Sequence, residues 1–300
     1  MLRILKGALK GFNKDSCGTR AAALSYYTIF ALPPLLILLV TVAGKVWDPV
    51  EVQGALEGQF AKIVGPASAR QIHEMIERGV TTIGGGAVAT ITSAVGLLFG
   101  ATGAFVSLQD ALNHAWEVKP DPRQGGVRNF VVKRLLSLGM VLGVGFLLAV
   151  SLALSAAIAS FAATMGGDGA PALLFASDLV LSLVVLTVLF AALFKFLPDA
   201  DIAWRDVWLG GAVTAVLFVL GKTLIGLYLG HSKPGDAFGA ASALAVILVW
   251  VYYAGNLLLF GAEFTREWTA SRGERARPSK GAERVVEREV HSERDIKPRN

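Results

Sequence analysis

The side chains that could carry chemistry are few and far apart in this chain. His73, His114, His231 and His291 lie in four different segments, and Cys17 is the only cysteine. No two of these residues have metal-ligand spacing, and a single thiol forms no internal disulfide. Gly221-Lys222-Thr223 resembles the end of a phosphate-binding loop, but Val216 stands where that loop needs a glycine. A Gly-x-Ser-x-Gly elbow for an activated serine is absent. Nuclease, kinase and hydrolase chemistry therefore have no residues to run on. No catalytic, cofactor-binding or metal-binding residue is assigned, and the expectation is a protein that is not an enzyme.

Polar residues placed inside long apolar stretches are the stronger signal, because each is costly in hydrocarbon and tends to face a partner or a wet cavity. Asp178 stands near the start of one such stretch and Lys222 near the end of the next. At about 1.5 Å per residue, both lie about 9–11 Å below the same boundary, so they could pair between consecutive antiparallel helices. The plainer alternative is a Lys222 that reaches outward and an Asp178 that caps a helix end. A second group gathers toward the opposite boundary. Tyr252, Asn256, Leu259 and Glu263 share one helical stripe, Tyr26 and Tyr27 lie at similar depth, and Asp110 and Asn113 close another stretch. Pro33-Pro34 removes two backbone donors, which is expected to interrupt its helix and leave the Ile29 and Phe30 carbonyls without helical partners. Broken helices of this kind line transport pathways. A structural kink, interfacial tyrosines and a helix-end Glu263 near Arg20 would explain the same residues without transport.

The elements that must hold these residues follow from composition. Of 300 residues, 54% are hydrophobic and only 17% charged, with a mean hydropathy of +0.56. Soluble domains carry about 25% charged residues. A bilayer core takes about 20 mostly apolar residues to cross as a helix. Six stretches qualify: Ala21 to Val46, Thr81 to Leu108, Leu135 to Ala163, Ala172 to Leu197, Val207 to Leu229 and Ala237 to Ala262. The run from Leu179 to Leu186 lacks the alternation of a β-barrel strand. The expected fold is all-α, a polytopic membrane protein with six transmembrane helices.

Orientation follows from basic residues, which favour the cytoplasmic side. The segments before the first span and after the second, fourth and sixth spans hold 22 of the 28 Lys and Arg residues. Both termini are therefore expected in the cytoplasm (N-in/C-in), with the chain crossing the membrane several times. The asymmetry explains the net charge of +5 without invoking nucleic acid. Residues 1–20 form a basic lead in which Leu2, Leu5, Leu9 and Phe12 share one face, as in a helix lying on anionic lipid; a merely solvated basic lead is the alternative. Residues 21–268 form the membrane domain, with an external loop over 47–80 that reads as two short amphipathic helices packed at the boundary. Residues 269–300 are too polar to build a core and are expected to be disordered. Gly96/Gly100, Gly139/Gly143 and Gly226/Gly230 let helix backbones approach, either within one chain or between copies in a homo-oligomer.

Ala21-Ala22-Ala23-Leu24-Ser25-Tyr26-Tyr27 with Leu32-Pro33-Pro34, Ala111-Leu112-Asn113 with Trp116, Leu197-Pro198, Trp250-Val251-Tyr252-Tyr253, and Leu259-Phe260-Gly261-Ala262-Glu263 follow one another along the chain. In order and spacing these motifs resemble the YihY/BrkB family of bacterial inner-membrane proteins. Phe238 stands where the family usually has tyrosine and Asn256 where glutamine is frequent. The resemblance spans roughly residues 10 to 268 and implies a six-helix inner-membrane fold. It also implies links to serum resistance or envelope lipid export. An older ribonuclease label attached to the family finds no residues here to support it, and the family supplies no agreed catalytic residues.

Taken together, the leading expectation is transport or flipping of an envelope lipid or other amphiphile, with membrane lipids as partners. No ATP-binding motif is present, so movement would be passive, secondary or coupled to a partner. The competing expectation is a scaffold or envelope-integrity factor acting through protein partners.

Overall fold

The computed structural model describes residues 1–43, 48–64, 103–120, 170–232, 242–274, 276–279 and 281–285, with residues 70, 73, 74, 77, 91 and 160. All but residue 160 of the third expected span, most of the second, and residues 286–300 lie outside the described residues, as do Gly96/Gly100 and Gly139/Gly143. The elements are α1 (Leu2–Lys14), α2 (Cys17–Ala43), α3 (Pro49–Val64), α4 (103–115), β1 (Val118–Pro120), α5 (Ala170–Phe196), β2 (Ala200–Asp201), α6 (Trp204–Ser232), α7 (Ser242–Ser271), β3 (Arg277–Pro278) and β4 (Ala282–Arg284). The fold is mostly helical. Three helices among the described residues are long and apolar enough to cross a membrane, through Leu179–Phe196, Trp204–Lys222 and Leu244–Ser271. Val180, Val184, Val216, Leu220 and Leu224 are exposed on α5 and α6, as lipid-facing side chains are.

One expectation fails in α2. Its 27 residues run as a single helix straight through Pro33-Pro34. Two missing donors weaken a helix locally, but packing of the turns on either side keeps the backbone helical. Below the prolines, Ala21 rests on Gly255 of α7, 3.2 Å from where a Cβ would stand. Above them, Leu36 and Val40 join Val246 and Ile247 of α7 in a buried cluster.

Glycines set the closest helix contacts. A Cβ on Gly211 of α6 would lie 2.7 Å from the Thr187 carbonyl and 2.9 Å from the Ala191 nitrogen of α5, so these two backbones touch. Between α6 and α7 the lock is reciprocal. Thr214 packs on Gly261 and Thr265 on Gly210, while each threonine hydroxyl bonds back to a carbonyl of its own helix, Gly210 at 2.7 Å and Gly261 at 2.6 Å. Both polar groups are satisfied without leaving the helix, so only surface fit crosses the seam.

α1 does not stand apart as a free surface helix. It runs antiparallel along the end of α7: Gly7 abuts Glu267, Gly11 abuts Glu263, and the Phe12 ring lies 6.4 Å from that of Phe260. α3 packs through Val52 and Leu56 on the Leu36–Val246 cluster at the other end of α2. The second half of the 47–80 loop lies largely outside the described residues.

The beginning of the expected disordered tail is folded. β4 pairs antiparallel with β1 (Lys119 opposite Glu283), and β3 with β2 (Asp201 opposite Arg277). Strand pairing satisfies backbone groups whatever the side chains are, so a polar segment can add itself to two loops already held in place. Ala276 also packs on the core formed by Cys17, Leu112, Trp116, Phe194 and Leu259. In consequence the N-terminal helix, the segments after α4 and α5, and the residues after α7 all meet at one pole.

Candidate functional site

That pole holds a cluster of charge centred on Arg266. Glu263, Arg266 and Glu267 stand on one face of α7 at i, i+3 and i+4, and the turn between α1 and α2 brings Asp15 to them. Glu117, with φ of 54°, turns the chain out of α4. The guanidinium is the hub. Its Nη1 lies 3.3 Å from Asp15, 3.7 Å from Glu117 and 3.1 Å from the Ala115 carbonyl. Its Nη2 lies 2.9 Å from Glu263 and 3.5 Å from Glu267. The guanidinium offers five donors in a rigid planar fork, against three on the compact ammonium of a lysine, and so reaches acceptors on several sides at once.

Glu263 is fully buried. One oxygen faces Arg266 at ion-pair distance without the alignment of a hydrogen bond; the other receives the Cys17 thiol at 3.9 Å. Gly11 makes room for this arrangement, because a Cβ there would strike both the Glu263 carboxylate and the Arg266 guanidinium. Cys17 lies before the apolar run of α2, and burial, followed by the nearby Glu263, pushes its thiol up to about 12. It is an inert packing residue rather than a nucleophile.

The other sequence-selected residues divide around this hub. Asp110 pairs with Arg20 at 2.6 Å, so Arg20 serves α4 and not Glu263. Buried Asn113 clamps the segment after α5: its amide donates to Asp199 Oδ2 at 2.9 Å, and its carbonyl accepts the Asp199 N–H at 2.7 Å. Tyr252 and Asn256 flank Gly18, with Tyr252 Oη 3.6 Å and Asn256 Oδ1 3.8 Å from its Cβ position. The Asn256 amide is occupied by its own helix, donating to the Tyr252 carbonyl at 2.7 Å. Tyr26 and Tyr27 are exposed and stack edge to face, with Tyr27 against Gly103 of α4. Pro33 and Pro34 lie within continuous α2. Lys222 is exposed on α6; the Asp178 side chain lies outside the described residues, so the proposed pair does too. Phe196 beside Trp204 and Phe190 beside Phe218 set an antiparallel α5–α6 register that puts the two backbones at similar depth.

Further charges tie the same pole together. Fully buried Asp206 at the start of α6 receives Arg272 from the end of α7 at 3.1 Å. Arg205 bonds Glu274, and this holds the Glu274 carboxyl below its ordinary range. Lys195 bonds Asp201 at 2.9 Å, with the same effect on that carboxyl. A cavity of ≈ 220 Å³ opens beside the hub, lined in part by Trp116, Glu117, Arg266, Glu267 and Arg284. None of Tyr26, Tyr27 or Asn256 lines it. Among the described residues, no three His, Cys, Asp or Glu side chains are placed to hold a metal ion.

Sequence reasoning missed Asp15, Glu117, Asp199, Asp206, Arg266 and Arg272. The i, i+3, i+4 spacing of Glu263, Arg266 and Glu267 was a signal for one face of the hub. Nothing in the sequence links Asp206 to Arg272 or Asn113 to Asp199, because those contacts cross between helices.

The sequence profile described as Virulence factor BrkB matches residues 8–286. The chain belongs to the BrkB family. Similar BrkB-family relatives include the UPF0761 membrane protein of Pseudomonas aeruginosa, 31% identical over 270 residues, which is 87% of this chain and 61% of the relative. Another is the UPF0761 membrane protein of Azotobacter vinelandii, 30% identical over 278 residues, 89% of this chain and 63% of the relative. The UPF0761 membrane protein of Alkalilimnicola ehrlichii is 29% identical over 260 residues, 85% and 56% of the two chains. The chain thus spans about three-fifths of the length of the curated relatives it matches. No solved structure matches it. As a BrkB-family chain with several apolar helices, it is an integral membrane protein.

Proposed function

We propose that this BrkB-family protein moves an envelope lipid or another amphiphile across the bacterial inner membrane, without enzymatic chemistry and with both termini in the cytoplasm. The carrying observation is the Arg266 hub: four carboxylates share one guanidinium at the end of a membrane-crossing helix, and one of them, Glu263, is buried. Such a charge excess can be neutralised by a proton or a cationic group, which gives a secondary transporter a coupling element. The glycine seam at Gly7 and Gly11 lets α1 and α7 lie close enough for a small displacement to expose that carboxylate. The six-crossing reading is supported by the meeting of the N-terminal helix, both strand-bearing loops and the segment after α7 at one pole, because each then returns after an even number of crossings. The basic bias assigns that pole to the cytoplasm.

A scaffold reading draws on a different observation. The β1–β4 and β2–β3 pairs and the Asn113–Asp199 clamp tie the loops of this pole together, which suits a rigid platform for protein partners.

Translocation in proteoliposomes separates the two. Fluorescent phosphatidylethanolamine, phosphatidylglycerol and a free amphiphile are followed with and without a pH gradient, using wild type and Glu263→Gln. Transport predicts movement above empty vesicles that Glu263→Gln uncouples from the gradient. Rates equal to empty vesicles for every probe would leave the platform reading.

A further inference from the structure

We infer that α1 is a docking surface for acidic phospholipid headgroups at the rim of the bilayer. This stands on the three faces of that helix and does not depend on transport. At about 100° per residue, 13 residues are enough to define three sectors. One sector, with Gly7, Ala8 and Gly11, is packed on α7; Ala8 and Gly11 are buried. The second presents Leu2, Leu5 and Leu9, which are 75%, 41% and 56% exposed. The third, beside it, presents Arg3, Lys6 and Lys10, all exposed and without ion pairs among the described residues. Apolar and cationic sectors side by side fit the acyl and phosphate levels of an acidic lipid surface.

Depth is set by neighbours. Continuing the α6–α7 register of Gly210 with Thr265 and Thr214 with Gly261 sets Trp208 level with Glu267, and Gly7 abuts Glu267. Trp204, Trp208 and Phe196 are exposed there, and Lys195 Nζ lies 5.9 Å over the Trp204 ring. Exposed tryptophans with a lysine mark the headgroup level of a bilayer. The Leu5–Leu9 stripe therefore lies at that level, where a leucine side chain meets lipid. A wholly solvated helix would leave the stripe unexplained, and a second copy docked through it would bring Arg3, Lys6 and Lys10 toward their own counterparts.

The test uses the full chain in nanodiscs of phosphatidylcholine and phosphatidylglycerol, with Leu9→Cys carrying an environment-sensitive fluorophore. Wild type treated with the same reagent is the blank for Cys17. Bromine quenchers are placed on one lipid or the other at equal mole fraction. Quenching by brominated phosphatidylglycerol should exceed that by brominated phosphatidylcholine. Arg3→Gln/Lys6→Gln/Lys10→Gln, all at exposed positions, should abolish the excess, each charge being worth about fivefold in local acidic lipid. Raised salt should weaken it. Equal quenching by the two lipids overturns the proposal, and so does water-like emission with no quenching. Disulfide crosslinking between two Leu9→Cys chains in place of quenching identifies a second copy as the occupant and overturns it too. A triple variant that melts like the parent but keeps the excess also refutes it.

Discussion

Replacing Arg266 with methionine keeps much of the side-chain volume and removes the one charge that the hub shares. Asp15 and Glu263 are then left with side chains 8% and 0% exposed and without the guanidinium at 3.3 Å and 2.9 Å. Removing one partner of a buried ion pair costs about 3–5 kcal/mol, because the remaining charge stays desolvated. For a chain of this size that corresponds to roughly 5–8 °C in Tm. Arg266→Met should therefore melt well below wild type in detergent, measured by tryptophan fluorescence. Adding Glu263→Gln removes the carboxylate most in need of Arg266, so the double variant should be less destabilised than the sum of the singles, by about 0.5–3 kcal/mol. Cys17 gives an independent readout at the same place, since its sulfur lies 3.9 Å from Glu263 and its thiol is pushed up to about 12 by burial and that carboxylate. It should resist maleimide in wild type and react in Arg266→Met through opening of the pole around it, since loss of the guanidinium by itself only raises the thiol further. A variant that melts with wild type and keeps Cys17 protected would refute the view that Arg266 holds the pole together.

Other expectations separate packing from polar clamping. Gly211→Ala drives a methyl against the α5 backbone and should cost about 1–3 kcal/mol, whereas Gly58→Ala in α3 meets open space and should stabilise by about 0.5–1 kcal/mol, both read from Tm. Asn113→Ala strips Asp199 of the 2.9 Å and 2.7 Å bonds that hold the segment after α5, and should lower stability by about 1–3 kcal/mol, with faster proteolysis near Asp199. The Asp201 and Glu274 carboxyls are held below their ordinary range by Lys195 and Arg205. A depressed carboxyl stabilises above its unfolded pKa and loses that contribution as pH falls through the folded value. Both groups are exposed, so Asp201→Asn and Glu274→Gln should flatten the acid limb of the Tm profile only slightly; a large loss at neutral pH would contradict the exposed placement.

The membrane character was written in the apolar runs. Those of α5, α6 and α7 appear as helices where the hydropathy pattern placed them, because in hydrocarbon a backbone must satisfy its own hydrogen bonds. Pro33-Pro34 misled as a break, since a local lesion says nothing of the helix that packs across it. The first part of the tail misled in the opposite sense, because composition measures what a segment can bury and not the strand edges offered to it.

The sequence alone determined that the chain is helical and membrane-embedded, and it supplied the basic asymmetry between loops, since length and hydropathy act locally along the chain. Only the tertiary structure decided which charges meet. Arg266 lies 251 residues from Asp15 and Asn113 lies 86 from Asp199, and no periodicity links them. Their pairing depends on how helices cross, and that is settled by contacts such as Gly211 on the α5 backbone and Gly11 on Glu263. Those contacts follow from surface shape in three dimensions, where residues remote in the chain become neighbours.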